Sequence, residues 1–452
     1  MFSNTYKRHF KRTITLALPV ALGQIGHMMT SFADAVMVGH IGSVELAAVS
    51  LAGSLIIIPT LLLVGISIGL TPLVGKAFGE ENIEKINGYF YHGLALNFLL
   101  GILLSILVYF SVPYLNLLDQ DAEVLEKSIP YFLVMIFSLI PYTFMLTAKQ
   151  FTEGIALTKP GMYISILGNL LNVGLNYLLI YGKFGFPELG VLGAGIASFI
   201  ARAFMGVGFI VYVFYKPQIS KYIKFDIKRR LEFQKFKEIF KIGLSIGVQF
   251  TLEVGVFSVG AIMIGWFGSD ALAAHQIALN YAALTFVMAS GFATASTIRI
   301  SNLIGQRKLR EMRLAGFASM VLVFGFMSVT ALIFILFRFS LPFLFTTELN
   351  VINEAAKLLL VAAVFQIFDG IQVVGLGNLR GMADVKYPTY VALFSYWFIG
   401  IPACYLFGVY FNFGAPGVWI GYLLGLGTAA IFFTVRFARK SKEAISKIRL
   451  FV

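Results

Sequence analysis

Long apolar runs recur along this chain, separated by short polar segments rich in Lys and Arg. The runs are continuous, built from Leu, Ile, Phe, Ala and Gly, and many exceed the roughly 20 residues that carry a helix across a bilayer. A β-barrel, the other spanning solution, would show alternating segments of about ten residues instead. The pattern predicts twelve helices. The first half gives 13–38, 46–74, 89–112, 129–149, 161–181 and 190–214, and the second gives 239–266, 272–298, 314–345, 355–378, 387–410 and 415–437. The expected fold class is an all-α integral membrane protein, with twelve transmembrane helices in two six-helix lobes.

The two lobes are visible as a repeat. Residues 35–48 read AVMVGHIGSVELAA and residues 261–274 read AIMIGWFGSDALAA, with eight of fourteen positions identical at an offset of 226. At the same offset Gly65 meets Gly291, Thr71 meets Thr297 and Gly79 meets Gly305. The expected division is 1–220 for an N-lobe and 221–452 for a C-lobe, joined by a basic loop over about 215–241. An even helix count per half makes the repeats parallel, related by an axis along the membrane normal. Such halves can rock about a central cleft.

Composition agrees with the pattern. The chain is 58% hydrophobic and 13% charged, against about 25% charged in soluble domains. Its mean hydropathy is +0.85. No cleavable signal peptide is evident, since the first apolar stretch carries Asp34 and runs into a repeat unit. Alternate loops collect 30 of the 35 Lys and Arg, leaving Lys127, Lys183, Arg338 and Lys357 on the other side and Arg202 inside a span. The positive-inside bias then puts both termini in the cytoplasm of a multi-pass bacterial inner-membrane protein. That asymmetry accounts for the net charge of +13 without a nucleic-acid partner.

Little else in the sequence offers chemistry. Cys404 is alone, so no intrachain disulfide forms. The loop over 215–241 carries Pro217 and several aromatics and reads as a tether along the headgroups, with room for a short amphipathic helix. No loop can hold a nucleotide-binding domain. The nearest phosphate-loop match, GLTPLVGKA at 69–77, has its glycines one residue too far apart and Ala77 in place of Ser or Thr. GLGNLRG at 375–381 lacks a preceding strand, and no HExxH, CxxC or GxSxG motif is present. The chain is not expected to be an enzyme or to carry a cofactor.

The informative residues are charges in apolar spans. A carboxylate at the bilayer centre costs about 2.5–3.5 kcal/mol on insertion scales, so it usually faces a cavity. Asp34 lies late in the first predicted helix, Glu253 midway along the seventh and Asp369 midway along the tenth. Each could be protonated in place, could snorkel toward a helix end, or could bind a coupling proton or cation. Glu253 and Asp369 could share one monovalent cation, with carbonyl or hydroxyl oxygens completing the shell. Spacing alone does not bring them together. Asn172 and Asn176 share one helix face at i and i+4, as do Ser198 and Arg202. These could glue helices or build a site around Asp34, and Arg202 could serve Asp34 as counter-ion or reach a lipid phosphate. At the repeat offset Asp34 aligns with Gly260 and Glu253 with His27, so the acids are not duplicated. Gln249, His275, Gln276 and Asn280 are weaker candidates, His275 more as a structural hydrogen-bonder than a proton relay. Some of the 45 Phe could face flat cationic compounds.

Several segments together, in order, resemble the multidrug and toxic compound extrusion (MATE) family, in its NorM-like branch. They are SFADAVMVG at 31–39, QFTEGIALTKP at 150–160, LNVGLNYLLIYGKFGFPELG at 171–190, LEVGVF at 252–257, LAAHQIALN at 272–280 and QIFDGIQVVGLGNLRG at 366–381. The resemblance covers essentially the whole chain. It implies two six-helix lobes around a V-shaped cavity and export of cationic, lipophilic compounds in exchange for Na+ or H+. On that resemblance Asp34 matches the N-lobe acid, and Asn172, Asn176 and Ser198 match the polar residues around it. Glu253 and Asp369 match the C-lobe cation-binding pair that the DinF-like branch lacks, which favours Na+. Gln276, Asn280 and Phe365 are candidates to face the substrate cavity. Two departures stand out: Phe365 stands where NorM-like relatives can carry Tyr, keeping a π face without the hydroxyl, and Arg202 changes the electrostatics of the N-lobe site. The expected partners are cationic hydrophobic small molecules, a monovalent cation and the bilayer, with the protein acting as a monomer. The alternatives are a lipid or lipid-linked saccharide flippase of the same wider superfamily, which Arg202 would suit, and a membrane-embedded enzyme or receptor.

Overall fold

The computed structural model describes residues 2–223 and 232–449, and it is helical wherever it is regular. Twelve long helices follow in order: α1 (Phe2–Gly39), α2 (Ser43–Gly79), α3 (Ile83–Tyr109), α4 (Ala122–Gly154), α5 (Lys159–Tyr181), α6 (Gly190–Tyr215), α7 (Phe233–Gly265), α8 (Ser269–Gly305), α9 (Leu309–Leu336), α10 (Leu349–Gly381), α11 (Lys386–Tyr410) and α12 (Gly414–Arg449). Eleven of these, α2 to α12, are long and apolar enough to cross a bilayer. In α1 the polar Gln24, His27 and Asp34 dilute the apolar run, which leaves the number of spans at eleven to twelve. Leu99, Leu103 and Leu107 stand exposed one turn apart on α3, a lipid-facing stripe that a water-soluble helix would have to cover. Only a helical turn at Pro217–Ser220 is seen in the segment before α7. The rest of the amphipathic stretch expected there, residues 224–231, lies outside the described residues.

The helices gather into two compact units, the first Leu22–Gly247 and the second Met1–Ala21 with Val248–Val452. The sequence halves at about residue 220, but the units divide within α1 and within α7. The two dividing points are 226 residues apart, which is the repeat offset. Small residues explain the division. In the first unit a Cβ at Gly65 would collide with the Gly247 backbone, and one at Gly69 would lie 2.7 Å from the Gly243 nitrogen. In the second unit a Cβ at Gly291 would lie 2.8 Å from the Ala17 carbonyl oxygen and 2.9 Å from the Ala21 Cβ. Gly65 and Gly291 are repeat equivalents, and so are Gly243 with Ala17 and Gly247 with Ala21. Each repeat thus docks its second helix, at backbone distance, on the opening turns of the other repeat's first helix. Small residues permit this approach, which supplies dispersion contact where lipid gives no hydrophobic drive.

Within the first unit α6 packs along α5 and α4, and α4 lies against α2 and α3. Within the second, α10 is the central helix, flanked by α8, α9 and α12, and its neighbour α12 buries Trp419, Tyr422, Phe433 and Phe437. The repeat recurs in detail. Gly154 sits against Val74 and the Thr71 carbonyl, while Gly381 sits against Ile300 and the Thr297 carbonyl.

The start of α1 is tied to the second unit by a buried arginine. Arg299 of α8 donates from Nη1 to the His9 carbonyl at 2.9 Å and to Thr13 Oγ1, and from Nη2 to His9 Nδ1. A histidine accepting at Nδ1 carries its proton on Nε2, which lies 3.2 Å from Glu311 Oε2. Burial, and then the Arg299 charge, hold His9 below its ordinary 6.5. Arg8 and Arg12 push the same way and Glu311 opposes them.

Two outcomes follow from this packing. Gly65→Val, by overfilling the crossing, costs about 1–3 kcal/mol and lowers the thermal midpoint in detergent, whereas Gly53→Val, where a Cβ meets nothing within 4 Å, leaves it unchanged. For His9 the folded affinity for a proton is the lower one, so its contribution is whole above pH 6.5 and is lost as pH falls below that value. The wild-type midpoint should therefore drop between pH 6.5 and 5 more steeply than that of His9→Gln, measured across the same buffers.

Candidate ion-coupling and substrate sites

In the first unit, polar side chains converge on Asp34 near the end of α1. Asn176 of α5 donates Nδ2 to Asp34 Oδ1. Asn172, one turn earlier, satisfies both ends of its amide when Nδ2 donates to Asp34 Oδ1 at 2.9 Å and Oδ1 accepts from Ser198 Oγ at 3.3 Å. Both asparagines are buried while Asp34 is half-buried. The i, i+4 spacings seen in the sequence thus meet across α5 and α6. Arg202 makes no ion pair with Asp34 among the described residues. Its Nη1 donates to Ser138 Oγ at 2.6 Å and its guanidinium lies 4.8 Å from the centre of the Tyr142 ring. It remains near enough for its charge to act on Asp34.

In the second unit, Asp369 sits midway along α10 with only 4% of its surface exposed. Glu253 of α7 is half-buried, and its charge acts on Asp369. Both acids lie in the second unit, where α7 meets α10 through the Arg380–Gln249 bond, one turn before Glu253. Around them stand three residues that sequence reading passed over. Gln372, three residues from Asp369, donates Nε2 to Tyr396 Oη at 2.5 Å, and its own Oε1 has no partner among the described residues. Tyr396 is buried in α11, inside a π-helical stretch, Phe394–Gly400; such wider turns are frequent at functional sites. Arg380, 6% exposed, donates Nη2 to Gln249 Oε1 at 3.2 Å and stacks over Phe250 at 5.1 Å. The signal for Gln372 was its spacing from Asp369. Arg380 was counted with the loops because it lies at the end of its apolar run.

The remaining candidates are more peripheral. Gln276 is exposed and donates to Asn280 Oδ1 at 3.4 Å. Phe365 is buried in an aromatic cluster, edge-on to Phe257 and Trp419. His275 accepts from Trp419 Nε1 at its Nδ1, 3.1 Å away, which is a structural bond. No group of three or more His, Cys, Asp or Glu side chains gathers into a metal-binding set among the described residues.

A helical membrane protein of two repeated units, each with a carboxylate held in a polar cluster inside its spans, has the build of a secondary transporter. The MatE family model matches residues 19–178 and 245–406, stretches that begin 226 residues apart. The chain belongs to the MATE family of membrane transporters. It is 31% identical over 437 residues to the multidrug resistance protein NorM of Photobacterium profundum, covering 96% of each chain. It is 30% identical to NorM of Vibrio cholerae over 97% of each, and 34% identical to the probable multidrug resistance protein NorM of Xanthomonas campestris pv. campestris over 96% of this chain and 94% of that one. Among solved structures it superposes on the eukaryotic MATE transporter AtDTX14 with a TM-score of 0.86 at 22% identity, covering 98% of this chain and 100% of that one. An outward-facing multidrug resistance MATE transporter of the MOP superfamily gives 0.90 at 20% identity over 97% of each.

The Asp34 cluster yields a test independent of transport. Asn176→Leu strips a donor from a carboxylate, a loss of about 1.5–3 kcal/mol for a bond to a charged group, and lowers the thermal midpoint. Asp34→Leu combined with Asn176→Leu removes both partners and should recover most of that loss. A double variant no more stable than Asn176→Leu would show that the bond carries no stability.

Proposed function

We propose that this protein is a multidrug efflux antiporter of the bacterial inner membrane, exporting cationic lipophilic compounds in exchange for Na+ or H+. The observation that carries this reading is Asp369, buried midway along α10 with the unpartnered Gln372 Oε1 three residues on. Two like charges in a low-dielectric setting are costly, and a cation relieves both at once. Full-length similarity to several NorM multidrug resistance proteins supports the substrate class. The Lys and Arg bias of the loops supports cytoplasmic termini.

In this mechanism Glu253 and Asp369 hold the coupling cation. Gln372 Oε1 and Tyr396 Oη are neighbouring oxygens of the kind a hard cation takes as ligands, which favours Na+. Asp34, with Asn172, Asn176 and Ser198, forms an anionic N-lobe site for a proton or for the positive end of a drug, and Arg202 limits its net charge. Phe365, Gln276 and Asn280 are the C-lobe candidates for contact with the compound. Cation binding favours the state with weaker drug affinity, and drug binding favours the cation-free state. Coupling of this sort is a difference in affinity between two states, and a tenfold effect needs only about 1.4 kcal/mol.

The test is dye efflux from proteoliposomes under an imposed Na+ or H+ gradient. Asp369→Asn is expected to abolish ion-driven ethidium transport while inserting normally, and Asp34→Asn to impair it. Full ethidium efflux by Asp369→Asn would remove the coupling role from the acid pair.

A further inference from the structure

The second unit contains a charge that the acid pair does not explain. Arg380 is buried, yet none of its described hydrogen bonds reaches a carboxylate. Its Nη2 meets the neutral Gln249, its plane meets Phe250, and its Nε has no partner among the described residues. Gln249 is itself fully engaged, since its Nε2 donates to the Val385 carbonyl at 3.2 Å and to Thr389 Oγ1 at 2.8 Å. It therefore fixes Arg380 at one level of α7. Burying an arginine without a carboxylate bonded to it is expensive, so its position calls for a reason.

The helix register supplies one. Short connections between α7, α8, α9 and α10 make α7 and α10 antiparallel. Glu253 lies one turn beyond Gln249 on α7, about 6 Å further on. Asp369 lies eleven residues before Arg380 on α10, about 16 Å away on the same face. In depth, Glu253 thus stands between Arg380 and Asp369. The electrostatic couplings keep that order: Arg380 acts on Glu253, and Glu253 acts on Asp369. The Tyr396 hydroxyl accepts from Gln372, which lies between Asp369 and Arg380 on α10. The column holds two acids and one fixed base. In the first unit the matching count is one acid and one base, Asp34 and Arg202, with Glu153 and Lys149 4.0 Å apart as a second balanced pair.

We propose that Arg380 is a fixed internal cation that cancels one of the two acids, so that a single monovalent cation discharges the column and one ion is exchanged per cycle. This rests on the antiport reading above and names the stoichiometry that reading leaves open. Arg380 acts here as a positioning residue through Glu253 and touches neither ion nor drug. One singly charged dye leaving for one monovalent ion entering moves no net charge. The dye gradient reached at steady state is then independent of membrane voltage. Without Arg380 both acids demand a cation, and one net charge moves in each cycle.

Proteoliposomes loaded with ethidium, driven by whichever of Na+ or H+ gradients supports efflux, test this with voltage set by K+ and valinomycin and corrected for protein-free liposomes. Wild type and Arg380→Lys are expected to show a steady-state gradient that does not shift with voltage. Arg380→Gln is expected to shift it about tenfold per 59 mV. Voltage independence kept by Arg380→Lys, which retains the charge but not the guanidinium contacts to Gln249 and Phe250, beside a shifted Arg380→Gln is a pattern that a merely structural role for Arg380 would not produce. A tenfold shift per 59 mV in wild type overturns the inference even if Arg380→Gln does not fold. A voltage-independent Arg380→Gln overturns it too. Absence of ion-driven efflux in wild type instead overturns the antiport reading, and this inference with it.

Discussion

Backbone-to-backbone contact between α2 and α7 in the first unit, and between α8 and α1 in the second, is the contact on which each unit is organised. Lipid solvates apolar side chains as well as another helix does, so helices in a bilayer associate through close packing. At Gly65 on Gly247 and at Gly291 on Ala17 and Ala21 the helices approach so closely that an added Cβ would fall under 3 Å from the neighbour. Because these residues recur at the repeat offset, both units close in the same way. Each borrows the opening turns of the other repeat's first helix, and α1 and α7 become continuous rods running from one unit into the other.

On that scaffold the second constraint is the cost of charge within an apolar layer. The protein meets it with amides and hydroxyls from neighbouring helices. Asp34 takes amide donors from α5, Arg202 takes Ser138 and the Tyr142 face, and Arg380 takes Gln249 and Phe250. Asp369 is different. The polar atoms near it along α10, Gln366 Nε2 and Gln372 Oε1, lack partners among the described residues. Buried polar groups are normally satisfied, and an incompletely satisfied set around an acid suits a site whose occupant comes and goes.

Much of the site was legible as residue types and little of it as neighbours. Asp34, Glu253 and Asp369 stand out because a carboxylate in a long apolar run is rare. Asn172 and Asn176 share a face by helical period alone, and they do meet Asp34. Arg380 was hidden because it ends its apolar run, where a basic residue reads as a loop charge, and only tertiary packing buries it. Tyr396 was hidden among 20 tyrosines, with nothing local to show that its hydroxyl turns inward. Phe365 stood out for its place one turn before Asp369, and packing sets it among aromatics.

Hydropathy compares each residue with lipid, and it is a local quantity. The sequence by itself therefore determined the helical membrane class, the number and order of the long helices though not their ends, the duplication and the identity of the acids. Which helices share a unit was decided only in the tertiary structure. Halving the chain near residue 220 follows connectivity, whereas the units divide at Ala21 and Gly247 because small side chains there admit a backbone from a distant helix. The tertiary structure also set Arg380 against α7, its Nη2 donating to the amide oxygen of Gln249, 131 residues earlier in the chain. Such partnerships depend on the distance of approach and on side-chain direction between remote segments. Neither is encoded in the hydrophobic pattern of a single helix.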